Sequence, residues 1–171
     1  TYVSQGAVDE SITAGLGDDV FVFGDTGTMD GNDVINGGAG TDTIAIDNTS
    51  DSNITLTVDL SNVTKVEAIA TTDANGNDTV TPEADTVTVN FAAVADDSVN
   101  GADVTMSVSG ASITDTKDIF TVDASSVSDP DYLFEITGGS AADVLTGGAG
   151  ADTINGGAGA DVITGGTGVD A

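Results

Sequence analysis

Histidine, cysteine and tryptophan are all absent from this 171-residue sequence. Without cysteine there is no disulfide framework, and without cysteine or histidine a zinc site lacks its usual ligands. A zinc protease motif of the form H-E-x-x-H and a triad with a histidine base are excluded for the same reason, and no G-x-S-x-G sequence occurs. We therefore expect that the chain is not an enzyme.

Basic residues are almost absent as well. Lys and Arg together number 2 against 29 Asp plus Glu, which gives a formal net charge of −27. We expect no nucleic-acid partner, because no basic surface is available to release counterions. Such an imbalance destabilises a compact chain unless cations neutralise it. The composition is nevertheless not that of a disordered chain, since 39% of the residues are hydrophobic and the mean hydropathy is +0.10.

Long apolar runs and aromatic residues are scarce. No stretch approaches the ~20 apolar residues of a membrane-spanning helix, so we expect no membrane span. Aromatic residues make up 4% of the chain, too few for the aromatic platforms that sugar sites use, and we do not expect a small-molecule ligand. Residues 1–14 lack the basic region of a signal peptide.

A nine-residue repeat closes the sequence. Gly-Gly recurs at 138, 147, 156 and 165, and an aspartate follows five positions after each first glycine: Asp143, Asp152, Asp161 and Asp170. The glycine pair favours a tight turn, and the three residues after each aspartate predict a very short strand with one inward apolar side chain. Strands this short must stack on copies of themselves. Stacking aligns the carboxylates, and a hard cation with about six to eight oxygen ligands would neutralise them.

The same pattern occurs near the N terminus. Residues 37–45 (GGAGTDTIA) are a complete copy with Gly38, Gly40 and Asp42. Three partial copies precede it, with an insertion at 23–27: 28–36 keeps Gly31 and Asp33, 14–22 keeps Gly15, Gly17 and Asp19, and 5–13 has Glu10 in place of the aspartate.

The segment 46–137 between these arrays lacks the repeat. Alternating apolar residues at 54–58, 87–91 and 104–108, with turn-like stretches at 72–78 and 95–103, predict about six or seven strands and almost no helix. Two architectures remain open for this segment. It continues the solenoid with irregular coils, or it forms a separate β-sandwich.

The nonapeptides resemble the G-G-x-G-x-D-x-U-x repeat of RTX proteins, which binds Ca²⁺ in a parallel β-roll. Residues 147–155 and 156–164 match at every fixed position, and 138–146 departs only at Ala141. The resemblance implies an all-β fold, a parallel β-roll or β-solenoid. Its calcium-binding RTX coils would span 5–45 and 138–171, with the irregular β segment 46–137 between them. The array stops just after Asp170, and solenoid ends need caps, so we expect a piece of a longer protein.

The resemblance also implies the metal ligands. In RTX proteins one coil consists of two nonapeptides, so the metal lies between turns two repeats apart. Carried over, this pairs Asp143 with Asp161, Asp152 with Asp170, Asp19 with Asp42 and Glu10 with Asp33, for about four or more Ca²⁺. Carbonyls of the glycine regions would complete each site: Gly15, Gly17, Gly31, Gly38, Gly40, Gly139, Gly148, Gly150, Gly157, Gly159, Gly166 and Gly168.

The stretches 63–73 (VTKVEAIATTD) and 120–127 (FTVDASSV), followed by RTX repeats, resemble S-layer and other large RTX surface proteins of Gram-negative bacteria. This resemblance implies a structural segment of a secreted surface-layer-type protein, exported by type I secretion to the cell surface. Calcium would drive its folding and its self-association into a sheet or filament. The alternative is a Ca²⁺-dependent ligand-binding or spacer module of a large RTX adhesin.

Overall fold

The computed structural model describes residues 1–3, 9–24, 29, 32–47, 54–58, 62–71, 86–92 and 104–171, and the ordered elements within them are all strands. In chain order these are β1 Tyr2–Val3, β2 Ser11–Thr13, β3 Val20–Gly24, β4 Val34–Asn36, β5 Thr43–Asp47, β6 Ile54–Val58, β7 Val63–Thr64, β8 Ala68–Thr71, β9 Thr86–Phe91, β10 Val104–Ser109, β11 Ile119–Asp123, β12 Tyr132–Thr137, β13 Val144–Thr146, β14 Thr153–Asn155 and β15 Val162–Thr164. Within this described part, no helix has the length and apolarity needed to cross a membrane.

The strands form three parallel sheets. One sheet has the order β1-β3-β5-β8-β10-β12-β14, the second β15-β13-β11-β9-β6, and the third β2-β4-β7. Along the chain, strands of the first sheet alternate with strands of the other two, except that both β6 and β7 lie between β5 and β8. Neighbouring strands within each sheet belong to different coils and run parallel. This is the arrangement of a parallel β-roll, as the repeat pattern predicts.

Inward apolar side chains stack from coil to coil in the first sheet. The strand register places Phe21, Ile44, Ile69, Val108, Ile136 and Ile154 in one column. The first five of these are at most 1% exposed. Burial of such a side chain contributes on the order of 1.5–3 kcal/mol. The column gives three-residue strands the packing that they could not provide alone.

The described strands of the segment 46–137 belong to the same sheets as both arrays. Strand β8 pairs in parallel with β5 on one side and with β10 on the other, and β10 pairs in parallel with β12. A sandwich would instead consist of antiparallel sheets. These strands therefore continue the roll. The alternating stretches 54–58, 87–91 and 104–108 lie in β6, β9 and β10, whereas the predicted turns 72–78 and 95–103 lie outside the described residues.

Turns connect the sheets along two edges. The first edge contains the described turns that lead into the seven-stranded sheet: 14–19, 37–42, 65–67, 124–131 and 147–152. Turn 165–170 follows β15 and stacks on 147–152 at the same edge. The second edge contains the described turns that leave it after β10, β12 and β14: 110–118, 138–143 and 156–161. Because the strands are stacked in register, the turns of one edge are stacked as well.

Candidate metal sites along the turn edges

All four predicted acidic pairs are brought together by the coil register. In each pair the backbone N–H of the first residue donates to Oδ1 of the second. The N···O distances are 2.8 Å for Glu10–Asp33, 2.7 Å for Asp19–Asp42, 3.0 Å for Asp143–Asp161 and 3.1 Å for Asp152–Asp170. Partners are 18 residues apart in the C-terminal array and 23 apart in the N-terminal one. The pairing of Asp19 with Asp42 is kept despite the insertion, because β3 and β5 pair in register directly after these residues, from Val20 with Thr43 onward.

Asp143 and Asp152 are almost fully buried, at 0% and 1% exposure, and Asp42 is buried to the same degree as Asp152. Asp143 Oδ1 accepts from the Phe120 N–H at 2.9 Å, and its Oδ2 accepts from the Gly139 N–H at 2.6 Å. Asp152 repeats the arrangement, accepting from Phe134 at 2.8 Å and from Gly148 at 2.7 Å. Each carboxylate therefore holds two coils together through backbone donors.

Burial raises the pKa of both carboxyl groups above the ordinary aspartate value. The N–H donors of Phe120 and Gly139 act in the opposite direction on the pKa of Asp143, and the negative charge of Asp161 raises it further. Asp170 has the same effect on the pKa of Asp152. In the absence of a cation, the arrangement thus disfavours the ionised form. A bound divalent cation would reverse this balance.

Carboxylate and carbonyl oxygens converge beside the first glycine of turns 138–143 and 147–152. A Cβ placed on Gly147 would lie less than 3.0 Å from both Asp152 Oδ2 and the Gly165 carbonyl oxygen of the next turn on that edge. A Cβ on Gly138 would meet Asp143 Oδ2 and the Gly156 carbonyl in the same way. Only glycine leaves this oxygen-lined space open, which explains the first glycine of the repeat.

The donor set suits calcium. Among the described residues, no group of three or more acidic side chains is close enough to hold an ion by carboxylates alone. Each site must therefore combine one or two carboxylates with backbone carbonyls, all of them hard oxygen ligands. This mixed set is what Ca²⁺ accepts and what zinc does not favour. The residues fit the ion that the repeat implies.

The turns occur in two hydrogen-bonded forms. In 138–143 and 147–152 the N–H of the second glycine donates to the aspartate of its own turn. In 37–42 and 156–161 the second glycines, Gly38 and Gly157, have φ of 99° and 86°. Their N–H groups donate instead to Asn36 Oδ1 at 3.1 Å and to Asn155 Oδ1 at 3.0 Å. In this second form, the asparagine at the last position of the preceding repeat accepts the glycine N–H that the aspartate accepts in the first form.

The remaining predicted glycines lie in the same stacked turns. Those with positive φ are Gly17, Gly38, Gly40, Gly157, Gly159, Gly166 and Gly168, and those without it are Gly15, Gly139, Gly148 and Gly150. The second glycines at 38, 157 and 166 face the carbonyl oxygens of Gly15, Gly139 and Gly148 one coil earlier. Gly31 lies outside the described residues.

Sequence reasoning missed Glu67. The Asp42 N–H donates to Glu67 Oε2 at 2.7 Å, which is the bond that Asp19 makes to Asp42 one coil earlier. Glu67 therefore occupies the aspartate position of turn 65–67, although this turn has no glycine pair. The only available signal was an acidic residue placed directly before the short apolar strand β8.

Comparison with protein families agrees with this geometry. The family model described as the RTX calcium-binding nonapeptide repeat matches four copies, at residues 28–48 and 137–171. Searches of the curated proteins and of the solved structures gave no significant match. The matched residues include at least one acidic residue of each predicted pair, and Glu10 and Asp19 are the two members that lie outside them. Both ends of this parallel β-roll therefore carry RTX calcium-binding repeats, and such repeats bind Ca²⁺.

Proposed function

We propose that the chain is a structural segment of a secreted bacterial surface-layer-type protein, in which calcium drives folding and assembly. The observation that carries the proposal is the stacking of buried carboxylates, with Asp143 and Asp152 almost fully removed from solvent. The matched repeats are of a type found in secreted proteins of Gram-negative bacteria. That affiliation supports a location outside the cell or at its surface.

Calcium-coupled folding follows from the charge. Burial of an ionised carboxylate costs free energy unless a counter-charge is present, and the chain contains only 2 basic side chains. Metal binding would therefore supply part of the folding free energy. At about 10⁻³ M extracellular Ca²⁺ even sites with Kd of about 10⁻⁴–10⁻³ M fill, whereas in the cytoplasm they stay empty. The chain would then remain loose during export and fold outside.

Circular dichroism in millimolar Ca²⁺ and in excess chelator tests this coupling. We expect strong β signal with Ca²⁺ and its loss in the arrays without it. Asp161→Asn should raise the Ca²⁺ concentration needed for folding, because it removes a negative charge next to Asp143, whose backbone nitrogen lies 3.0 Å from Asp161 Oδ1. Asp123→Asn removes the same charge from an exposed side chain whose bond is to Ser125 in its own turn, and is the matched control. A β signal insensitive to chelation contradicts the proposal.

Assembly is the second part of the proposal. Acidic surfaces repel one another, so contacts between copies would need Ca²⁺ shared between them. Sedimentation and electron microscopy in Ca²⁺, compared with Mg²⁺ at the same ionic strength, distinguish the outcomes. Sheets or filaments formed only in Ca²⁺ support assembly. Monodisperse particles that bind glycans would instead favour the adhesin.

We also propose that the segment is not catalytic. The sequence contains no histidine or cysteine that could act as a general base or as an activated nucleophile. The repeated acidic residues lie in the stacked turns, where their side chains accept backbone N–H groups of the neighbouring coil. Hydrolysis of a panel of peptide, ester and glycoside substrates by the calcium-loaded chain would contradict this part of the proposal.

A further inference from the structure

Turn 65–67 takes the place of a six-residue RTX turn with only three residues. The register pairs Asn36 with Thr64 before the turn and Thr43 with Ala68 after it. Lys65 therefore stands where Gly37 stands one coil earlier, and Glu67 stands where Asp42 stands. This turn lies outside the residues that match the RTX family model.

Glu67 reproduces the hydrogen bond of an RTX aspartate from this shorter turn. Its Oε2 accepts the Asp42 N–H at 2.7 Å, whereas Asp161 Oδ1 accepts the Asp143 N–H at 3.0 Å. The additional methylene of glutamate lets the carboxylate reach the turn below from a shorter connection. The acidic column Asp19–Asp42–Glu67 is thus continuous from the N-terminal array into the central segment.

The backbone of Lys65 has the conformation expected of a glycine. Its φ is 54°, and it is the one non-glycine residue with positive φ in the part of the chain that the structure describes. A Cβ built on Gly37 would lie less than 3.0 Å from both the Lys65 carbonyl oxygen and Asp42 Oδ2. The same two kinds of oxygen converge beside Gly147, from Asp152 and Gly165.

One of these oxygens has no donor. Asp42 is 1% exposed, and among the described residues no hydrogen-bond donor reaches its Oδ2. The N–H of Gly38 is equivalent to the N–H groups that donate to Asp143 and Asp152 in their own turns, but it donates to Asn36 Oδ1 instead. A buried carboxylate oxygen without a partner is costly, and such groups in native proteins call for an explanation such as an ion.

We propose that Ca²⁺ binds between turns 37–42 and 65–67, with Asp42 Oδ2 and the Lys65 carbonyl oxygen as ligands. Glu67 positions Asp42 through its backbone N–H and adds negative charge to the site. The inference rests on the proposed calcium-dependent function and extends it beyond the RTX repeats. A cation here links the N-terminal array to the first coil of the central segment.

The test counts bound Ca²⁺ in the full chain by native mass spectrometry and measures affinity by calorimetry. Glu67→Gln removes the negative charge that Glu67 adds and should weaken one site by about tenfold, although the glutamine amide oxygen can still accept the Asp42 N–H. Glu135→Gln, which alters an exposed glutamate on β12, is the matched control and should bind as the unmodified chain does. Equal count and affinity for the two variants overturns the proposal.

A second pair of variants tests the carbonyl ligand. Lys65→Gly and Lys65→Val both remove the ammonium group, but only glycine adopts positive φ without strain. We expect Lys65→Gly to keep the site and Lys65→Val to lose one Ca²⁺. Loss of one Ca²⁺ in both variants would show that the backbone conformation at residue 65 does not control the site, and retention in both would show that the Lys65 carbonyl is not a ligand; either result overturns the proposal.

A direct measurement separates this inference from the proposed function. Crystals of the full chain with Tb³⁺ in place of Ca²⁺ should show an anomalous peak beside Asp42 and the Lys65 carbonyl. Peaks in the C-terminal array with none here would overturn the inference and leave the proposed function intact. An unmodified chain that binds no Ca²⁺ or Tb³⁺ at all would overturn both.

Discussion

The backbone N–H of Asp143 lies 3.0 Å from Oδ1 of Asp161, the equivalent residue one coil further on. The bond joins the backbone of one turn to the side chain of the next, so each acidic side chain holds its own turn to the turn one coil earlier. Three other pairs repeat it, and Glu67 extends it outside the repeats. The carboxylates therefore stack turns even before their role toward a cation is considered.

Removal of the Asp152 carboxylate should destabilise the roll strongly. Asp152→Ala leaves the N–H groups of Phe134 and Gly148 buried without their acceptors, at a cost of about 2–4 kcal/mol in the free energy of unfolding. Asp152→Asn retains one acceptor oxygen and should cost less. Urea unfolding in millimolar Ca²⁺ measures both, with the exposed Asp170→Ala as a comparison whose effect is smaller. Equal effects at Asp152 and Asp170 would contradict this account.

Substitution of the first glycine of a turn should remove its oxygen-lined space. In Gly147→Ala the new Cβ would collide with Asp152 Oδ2 and the Gly165 carbonyl, so we expect about 1–3 kcal/mol of destabilisation together with weaker Ca²⁺ binding. Gly15→Ala is the matched control, because a Cβ there meets nothing within 4 Å and the φ of Gly15 is not positive. Thermal unfolding at fixed Ca²⁺ compares the two. The idea fails if both variants behave alike.

Much of this arrangement was accessible from the sequence, and the reasons are local. The nine-residue period makes each repeat one turn and one strand of constant length, and the two-repeat coil that the RTX resemblance implies then places Asp143 beside Asp161 and Asp152 beside Asp170. The pair Asp19–Asp42 also followed, since the insertion 23–27 lies between repeats. The parallel roll and its acidic pairs could therefore be predicted before the structure was known.

Other features depend on contacts that no local pattern specifies. Alternation of apolar residues predicts strands equally well for a sandwich and for a solenoid, so only the pairing of β8 with β5 and β10 decided between them. Glu67 was missed because its turn is three residues shorter and has no glycine. The N–H of the second glycine donates to the aspartate in one form, as Gly139 does to Asp143, and to an asparagine in the other, as Gly157 does to Asn155. The choice goes with the φ of that glycine, which the repeat pattern does not specify. The boundaries at 45/46 and 137/138 stay predictions.

The metal-free roll should become more stable as the pH falls from neutrality. Burial raises the pKa values of Asp143 and Asp152 above 3.8 in the folded chain. Backbone N–H groups oppose this shift in part, and the negative charges of Asp161 and Asp170 add to it. An acid with a raised folded-state pKa favours folding when it is protonated. That contribution is complete below the unfolded-state pKa near 3.8 and is lost as the pH rises through the folded-state value.

Calcium should reverse this dependence, because the metal binds the ionised carboxylates and protons compete with it. Urea unfolding midpoints at a series of pH values, in metal-free buffer and in millimolar Ca²⁺, provide the measurement. We expect opposite slopes in the two series between neutral and acidic pH. The double variant Asp143→Asn/Asp152→Asn should flatten the metal-free slope, since its amides do not titrate. The contrary result is a metal-free chain that loses stability on acidification as the calcium-loaded chain does. It would mean that Asp143 and Asp152 do not disfavour their ionised forms, and that calcium does not act by relieving the cost of burying these charged carboxylates.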